Sequence, residues 1–343
     1  MIWLVSAVVV GCVPSVGPGV EPGEGSPIGA DPAEVDPGAH PSKPGGTVPD
    51  IRCAEAPDAG EAGSFHHGKN VLISLLGDPR HRGLDLMASA GAAGQTLEGW
   101  ISYTLVDKAL EDEDVEVFAC SAGRWQRIGT ARTDDEGHFT LGLLGDAQLP
   151  IGMRDLFVSV VGDRTGARFL GYVAPTGTPL VVSDVDGTLT SSENEFLETV
   201  VLGGVPGVRA GAARALGAAA AAGRQVVYVT ARGNQYTGCT RDWLDANGFP
   251  RGPVRLSPSF LTLPGGDTID YKVRTLAALS GVGFALSAGV GNRASDVTAY
   301  ATAGVDAARI FVELPEFGDE LQPLVDAGHA VGFSSYDELL GKL

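Results

Sequence analysis

Cysteine is scarce. Four residues, Cys12, Cys53, Cys120 and Cys239, stand in a chain of 343, which excludes a disulfide framework, and no CxxC pair is present to hold a structural metal. Basic residues are also short, with 24 Lys and Arg against 42 Asp and Glu for a formal net charge of -18. That balance opposes nucleic-acid binding, which draws on Lys and Arg to neutralise phosphates, so no nucleic-acid partner is expected. It gives no general attraction to an anionic membrane either. An anionic substrate must then be held locally, by a metal and a few cations. The apolar run at the N-terminus is too short to span a bilayer, which needs about 20 residues.

What is there divides into unlike stretches. A chain of 343 residues predicts two domains more readily than one, because single cores stop growing at roughly 250–300 residues. Hydrophobic residues make up 44% of the chain, enough for ordinary cores, while 49 Gly and 21 Pro crowd toward the N-terminus. Residues 1–12 resemble a signal-peptide h-region, and Val9-Val10-Gly11-Cys12 resembles the lipobox of bacterial lipoproteins. That resemblance implies lipidation of Cys12, a membrane anchor there, and export to the bacterial cell envelope. With Cys12 lipidated, three cysteines remain and at most one internal pair forms; Cys53 with Cys120 is a conceivable one in an oxidising compartment.

Residues 13–69 read as a Pro/Gly-rich linker. The stretch up to about Asp50 has no helical or strand period and cannot bury enough apolar area to offset chain entropy. Residues 51–69, with His66 and His67, carry no clear signal, and the His pair has no third ligand near it. Residues 70–175 change to short alternating runs, such as Leu97 to Leu105, Val115 to Ala119 and Leu156 to Val161, which predict an antiparallel β-sandwich. The Thr133-Asp134-Asp135-Glu136-Gly137-His138-Phe139 turn resembles transthyretin-like sandwiches. Trp100 and Trp125 are expected in its core.

Residues 176–343 alternate strand and helix. Pro179 to Ser183 is a continuous apolar strand, Val208 to Ala222 an Ala-rich helix, Gln225 to Thr230 a second strand, Tyr236 to Asn247 a helix and Val254 to Ser257 a strand. Asp270 to Leu279 then reads as a helix, Phe284 to Gly289 as a strand, Ser295 to Ala303 as a helix and Arg309 to Val312 as a strand. This order predicts an α/β fold with a doubly wound, Rossmann-like parallel sheet. Ligands in such sheets sit at the carboxyl ends of the strands, and the polar motifs fall there.

Asp184-Val185-Asp186-Gly187-Thr188 follows directly on the first of these strands. Alternate residues leaving a strand point the same way, so two carboxylates converge while Gly187 permits a tight turn. Paired carboxylates repel, which implies a cation, and hard oxygen ligands suit Mg²⁺. Thr230-Ala231-Arg232 follows the second strand, Lys272 lies near a helix start, and Gly291-Asn292-Arg293-Ala294-Ser295-Asp296 follows a later strand. Together these resemble the four motifs of the haloacid dehalogenase (HAD) superfamily. The resemblance implies Asp184 as nucleophile, Asp186 as general acid and base, and Thr230 and Lys272 as partners of the transferred phosphoryl group. It further implies Gly187, Thr188, Ala231 and Arg232 around the substrate, with Asp184, Asp186, Asn292 and Asp296 on Mg²⁺.

Within the superfamily, several stretches resemble the lipin catalytic domain. They are Ser183 to Thr190, Leu256-Ser257-Pro258-Ser259-Phe260-Leu261, and Gly291 to Tyr300 with Arg309-Ile310-Phe311. Lipins are Mg²⁺-dependent phosphatidate phosphatases, so a membrane phospholipid is the implied substrate. The short links from Thr188 to the first helix and from Leu256 to Lys272 leave no room for a large cap. A catalytically inactive phosphatidate-binding module and a phosphatase of soluble phosphomonoesters are the alternatives.

Overall fold

A computed structural model describes residues 48–104, 106–193, 205–258 and 266–343. Cys12 and the signal-like segment lie outside the described residues, as do most of the linker and part of both cap-position links.

The first body is built from eleven strands: β1 (Asp50–Ile51), β2 (Arg82–Leu84), β3 (Leu86–Ser89), β4 (Gln95–Trp100), β5 (Ser102–Tyr103), β6 (Lys108–Ala109), β7 (Asp114–Ser121), β8 (Arg124–Arg132), β9 (His138–Leu143), β10 (Gly152–Val160) and β11 (Gly166–Ala174). One sheet runs β3-β11-β10-β7-β8 with β1 beside β10, and a second runs β2-β4-β9. The pairing is antiparallel apart from two short parallel contacts, β1 with β10 and β11 with β3. Alternation along the strands sends Leu97, Val115, Val117, Phe139, Leu156, Val158 and Phe169 into one buried core between the sheets. Trp100 and Trp125 are not in it. Both are half-buried, with the guanidinium of Arg82 over Trp100 at 5.5 Å and that of Arg168 over Trp125 at 5.3 Å, because each sits where its strand reaches the rim.

Residues 48–69, read from the sequence as the end of a linker, belong to this body. β1 pairs with β10, a disulfide joins Cys53 to Cys120, and Arg168 donates to the carbonyls of Cys53 and Glu55. His66 and His67 are partly exposed and pair with Asp114 and Asp112 at 2.8 Å each. Helix α1 (Gly68–Leu76) follows.

The second body is a parallel sheet of β12 (Pro179–Ser183), β13 (Gln225–Gly233), β14 (Val254–Ser257), β15 (Ala285–Gly291), β16 (Ile310–Glu313) and β17 (Val331–Phe333), in the order β14-β13-β12-β15-β16-β17. Its helices are α2 (Ala212–Ala221), α3 (Thr237–Ala246), α4 (Gly266–Gly281), α5 (Ala294–Thr302) and α6 (Gly318–Asp326). Val181, Val226 and Val290 face one core with Leu216 and Trp243. Their neighbours Leu180, Val182, Val227 and Val229 face another with Leu276, Val297 and Leu321. The strands are therefore covered on both faces, which is why they read as unbroken apolar runs. Met87, Leu170 and Tyr172 from the sandwich join the second core.

Two boundaries move for reasons that bear on the site. α2 begins at Ala212 rather than Val208. Val208 forms a bridge with Thr190, and the Arg209 amide donates to Leu189 at 2.9 Å, which commits both residues to the preceding loop. β13 continues to Gly233, with a register shift against β14 between Thr230 and Gly233. Thr230 and Arg232, two residues apart on this extended segment, point the same way and reach one carboxylate.

Candidate functional site

β12 lies where the sheet order reverses, between β13 and β15. Connections leave this point in opposite directions and open a crevice at the carboxyl ends of the strands. Asp184 stands at its floor, with its amide donating to Val290 at 2.9 Å. Gly187 turns the chain sharply at φ 67°. A side chain there would put its Cβ 2.0 Å from Asn292 Nδ2, so only glycine lets the two segments approach. Arg209 Nη2 donates to the Gly187 carbonyl at 3.0 Å, and Tyr336 Oη to the Thr188 carbonyl at 2.6 Å.

Two linked groups of side chains fill the crevice. In the first, Lys272 Nζ donates to Asp184 Oδ1 at 2.7 Å and to Asp296 Oδ1 at 2.5 Å. The other Asp296 oxygen accepts from the amides of Asn292 and Arg293 at 3.1 Å each, which fixes the start of α5. Asp184, Thr188, Lys272, Asn292 and Asp296 are all buried. In the second, Arg232 Nε and Nη2 fork the Asp186 carboxylate at 2.9 and 2.7 Å, while Thr230 Oγ1 donates to it at 3.0 Å. Asp186 keeps 17% of its side chain exposed. Ala231 lies half-buried between Thr230 and Arg232.

Charge is uneven here. Burial pushes the Asp184 carboxyl up to about 8; Lys272 pulls it down, while Asp296, Glu193 and Asp186 push it further up. Burial would lower Lys272, but Asp184 and Asp296 outweigh it and raise the ammonium well above its usual range. One ammonium therefore serves more carboxylate than it offsets.

Among the described residues, no three His, Cys, Asp or Glu side chains form a ready cation cluster. Mg²⁺ needs none, because it is commonly held by one or two carboxylates, waters and substrate phosphate. The residues fit such an ion. Thr188 Oγ1 lies 3.1 Å from both Asp184 Oδ2 and Asn292 Oδ1, and a hydroxyl has one proton to give. Once Asp184 is ionised, as a metal ligand must be, one of those two oxygens is short of a donor.

The structure thus brings Asp184, Asp186, Thr188, Thr230, Arg232, Lys272, Asn292 and Asp296 to one crevice. Sequence reading missed Glu193, whose Oε2 accepts from Asn292 Nδ2 at 2.8 Å, and Arg209. The available signal was their closeness in sequence to the Asp184 loop and the following helix.

Residues 181–313 match the family model described as PITM 1-3, LNS2 domain, and residues 79–173 match PITM 1-3, beta-sandwich domain. The described chain is a β-sandwich followed by an LNS2-type, HAD-like domain. Membrane-associated phosphatidylinositol transfer protein 1 of Rattus norvegicus is 30% identical over 237 residues, covering 68% of this chain and 18% of that protein. The corresponding protein 3 of Mus musculus is 27% identical, covering 68% and 23%. Protein retinal degeneration B of Drosophila melanogaster is 27% identical, covering 76% and 21%. The chain spans about a fifth of the length of these relatives.

These matches correct two expectations. The matched model is the LNS2 domain rather than the lipin catalytic domain itself. The relatives are eukaryotic proteins, two of them named as membrane-associated, which overturns a bacterial envelope lipoprotein with a signal peptide and a lipidated Cys12. A short apolar run ending in Gly-Cys, with no Lys or Arg ahead of it, specifies too little to carry that assignment. Among the described residues no helix is long and apolar enough to cross a membrane.

Proposed function

We propose that this LNS2-type domain is a Mg²⁺-dependent phosphomonoester hydrolase that works through an aspartyl-phosphate, with phosphatidate as its substrate. The observation that carries the reading is the meeting of both aspartates of the Asp184–Thr188 loop with Lys272, Asp296 and Thr230 at one strand end. A phosphate-binding surface alone has no need of two carboxylates, which repel its ligand.

In the first step an Asp184 oxygen forms a bond to phosphorus as the bond to the lipid oxygen breaks, and Asp186 gives that leaving oxygen a proton. In the second, Asp186 takes a proton from water, whose oxygen bonds to phosphorus as the Asp184–phosphorus bond breaks, releasing inorganic phosphate. Lys272 orients Asp184, and the hydroxyl of Thr230 stands beside Asp186 to donate to a phosphoryl oxygen. Asp184, Asn292, Asp296 and the carbonyl of Asp186 would hold Mg²⁺, which when bound supplies the positive charge that lets a carboxylate meet a phosphate dianion. Phosphatidate rather than a soluble ester is supported by the lipin-like stretches of the sequence and by relatives named for phosphatidylinositol transfer.

One observation favours a second reading, a phosphatidate-binding module without turnover. Arg232 and Thr230 occupy both oxygens of Asp186, so the proposed acid must be released before it can move a proton. Phosphate release from phosphatidate vesicles and from soluble phosphomonoesters, with Mg²⁺ or with EDTA, separates the readings. Mg²⁺-dependent release from vesicles is expected. Release from soluble esters alone would move the substrate assignment, and vesicle binding without release from any ester would favour the binding module.

A further inference from the structure

We propose that Glu193 is a positioning residue that fixes the Asn292 side chain with its oxygen toward the cation site; this rests on the cation-dependent reading above. A carboxamide presents an acceptor on one side and two donors on the other. Asn292 Nδ2 donates to Glu193 Oε2 at 2.8 Å, and Asn292 Oδ1 accepts from Thr188 Oγ1 at 3.1 Å. With the nitrogen pinned by a carboxylate, the oxygen faces Thr188, whose hydroxyl also lies 3.1 Å from Asp184 Oδ2.

Without that partner the opposite orientation is open as well, because a hydroxyl can accept as well as donate. The amide nitrogen turned inward would donate to Thr188 Oγ1 and would present N–H groups where a cation needs oxygen. Glu193 removes that alternative. Its own position is set from its backbone, since the Glu193 amide donates to Glu316 Oε1 at 3.1 Å. Glu316 in turn pairs with Arg209 at 2.8 Å, the residue that holds the Gly187 carbonyl. The turn at Gly187 packs directly on this arrangement, since a Cβ there would meet Asn292 Nδ2 at 2.0 Å and Glu193 Oε2 at 2.7 Å. The Glu193 side chain meets Asn292 at 2.8 Å and Arg293 at 3.9 Å, so its direct contact with the proposed cation ligands runs through Asn292.

The test is a Mn²⁺ titration of the whole chain, followed by the electron paramagnetic resonance of the free ion. Glu193→Ala is expected to weaken Mn²⁺ binding about 10–100-fold, the usual size of an outer-shell effect. Glu193→Gln, which still offers an oxygen to Nδ2, should stay within about threefold of the unaltered protein. Glu193→Met, similar in length but without an acceptor, should match the alanine variant and replaces it if that variant does not fold. Equal losses in Gln and Met would show that charge rather than orientation matters and overturn the proposal. Unchanged binding in Ala and Met would overturn it while leaving the cation site standing. If the unaltered protein takes up no Mn²⁺, the cation-dependent reading and this proposal fall together.

Discussion

Asp184 is buried beside other carboxylates, and the cost of ionising it there sets how the site responds to pH. Its carboxyl is pushed from 3.8 to about 8 in the folded protein. Between those values the folded chain holds a proton that the unfolded chain has lost, so stability falls as pH rises through the window and levels off above it. Asp184→Asn carries no such proton. In EDTA, its melting temperature minus that of the unaltered protein should grow between about pH 4 and about pH 8 by roughly 5 °C or more. Adding Mg²⁺ at the upper end should stabilise the unaltered protein and not the variant. A difference that stays flat across this range, read by calorimetry, would contradict the assignment of charge. Asp184, Asp186, Thr230, Asn292 and Asp296 are legible in the sequence because each follows an apolar strand or opens a helix, where a polar side chain stands out; Lys272, in the second turn of α4, is legible only from its order among these motifs. Glu193 and Arg209 are not. A glutamate in a polar loop and an arginine ahead of an alanine-rich helix look like solvated surface, and only the folded turn delivers them to Asn292 and Gly187.

At the scale of elements, the turn after β12 is the tightest constraint. Gly187 combines a φ of 67° with a neighbour 2.0 Å from any added Cβ. Gly187→Ala should lower the unfolding free energy by about 1–3 kcal/mol and weaken Mn²⁺ uptake as well, because the displaced neighbour is Asn292. Urea unfolding checks the first effect, and an unchanged midpoint would mean that the turn relaxes freely. The central strands of the parallel sheet were readable as apolar runs, since burial on both faces leaves no polar alternation. The segment around Cys53 was not readable. Its fixed course depends on the disulfide to Cys120, the Asp155 carboxylate accepting from the Cys53 amide at 2.9 Å, and the Trp125 ring donating to the Glu55 carbonyl at 2.7 Å. None of these leaves a periodic trace in composition, so low hydrophobicity alone read as linker.

At the scale of the molecule, the two bodies are joined by buried polar contacts as well as by a shared core. Asp85, on the sandwich, accepts from Arg241 of α3 at 2.8 Å and from the Val254 amide of β14 at 2.7 Å. It also takes the Leu170 amide at 2.7 Å. Asp85→Ala strands a buried guanidinium and two amides, and should cost about 3–5 kcal/mol of unfolding free energy. Denaturant titration measures this, and a loss within error would mean that the bodies dock without it. Near the site, Arg82 pairs with Asp107 at 2.8 Å and donates through Nε to Asn234 at 2.8 Å. Asn234 lies just past Arg232, so the sandwich braces the strand end that carries the Asp186 clamp. Fold class was legible at this scale, because short alternating runs followed by strand–helix alternation admit few architectures. The docking was not: Asp85 and Arg241 lie far apart in sequence, and nothing local marks either as a partner.

The central claim is that Asp184 becomes covalently phosphorylated, and acid quenching tests it most directly. The full chain, mixed with phosphate-labelled phosphatidate vesicles and Mg²⁺ and then quenched, should carry label that hydroxylamine removes, as an acyl phosphate requires. Asp184→Asn should carry none. Steady phosphate release with no label on the protein, or equal label on the Asn variant, would contradict the account.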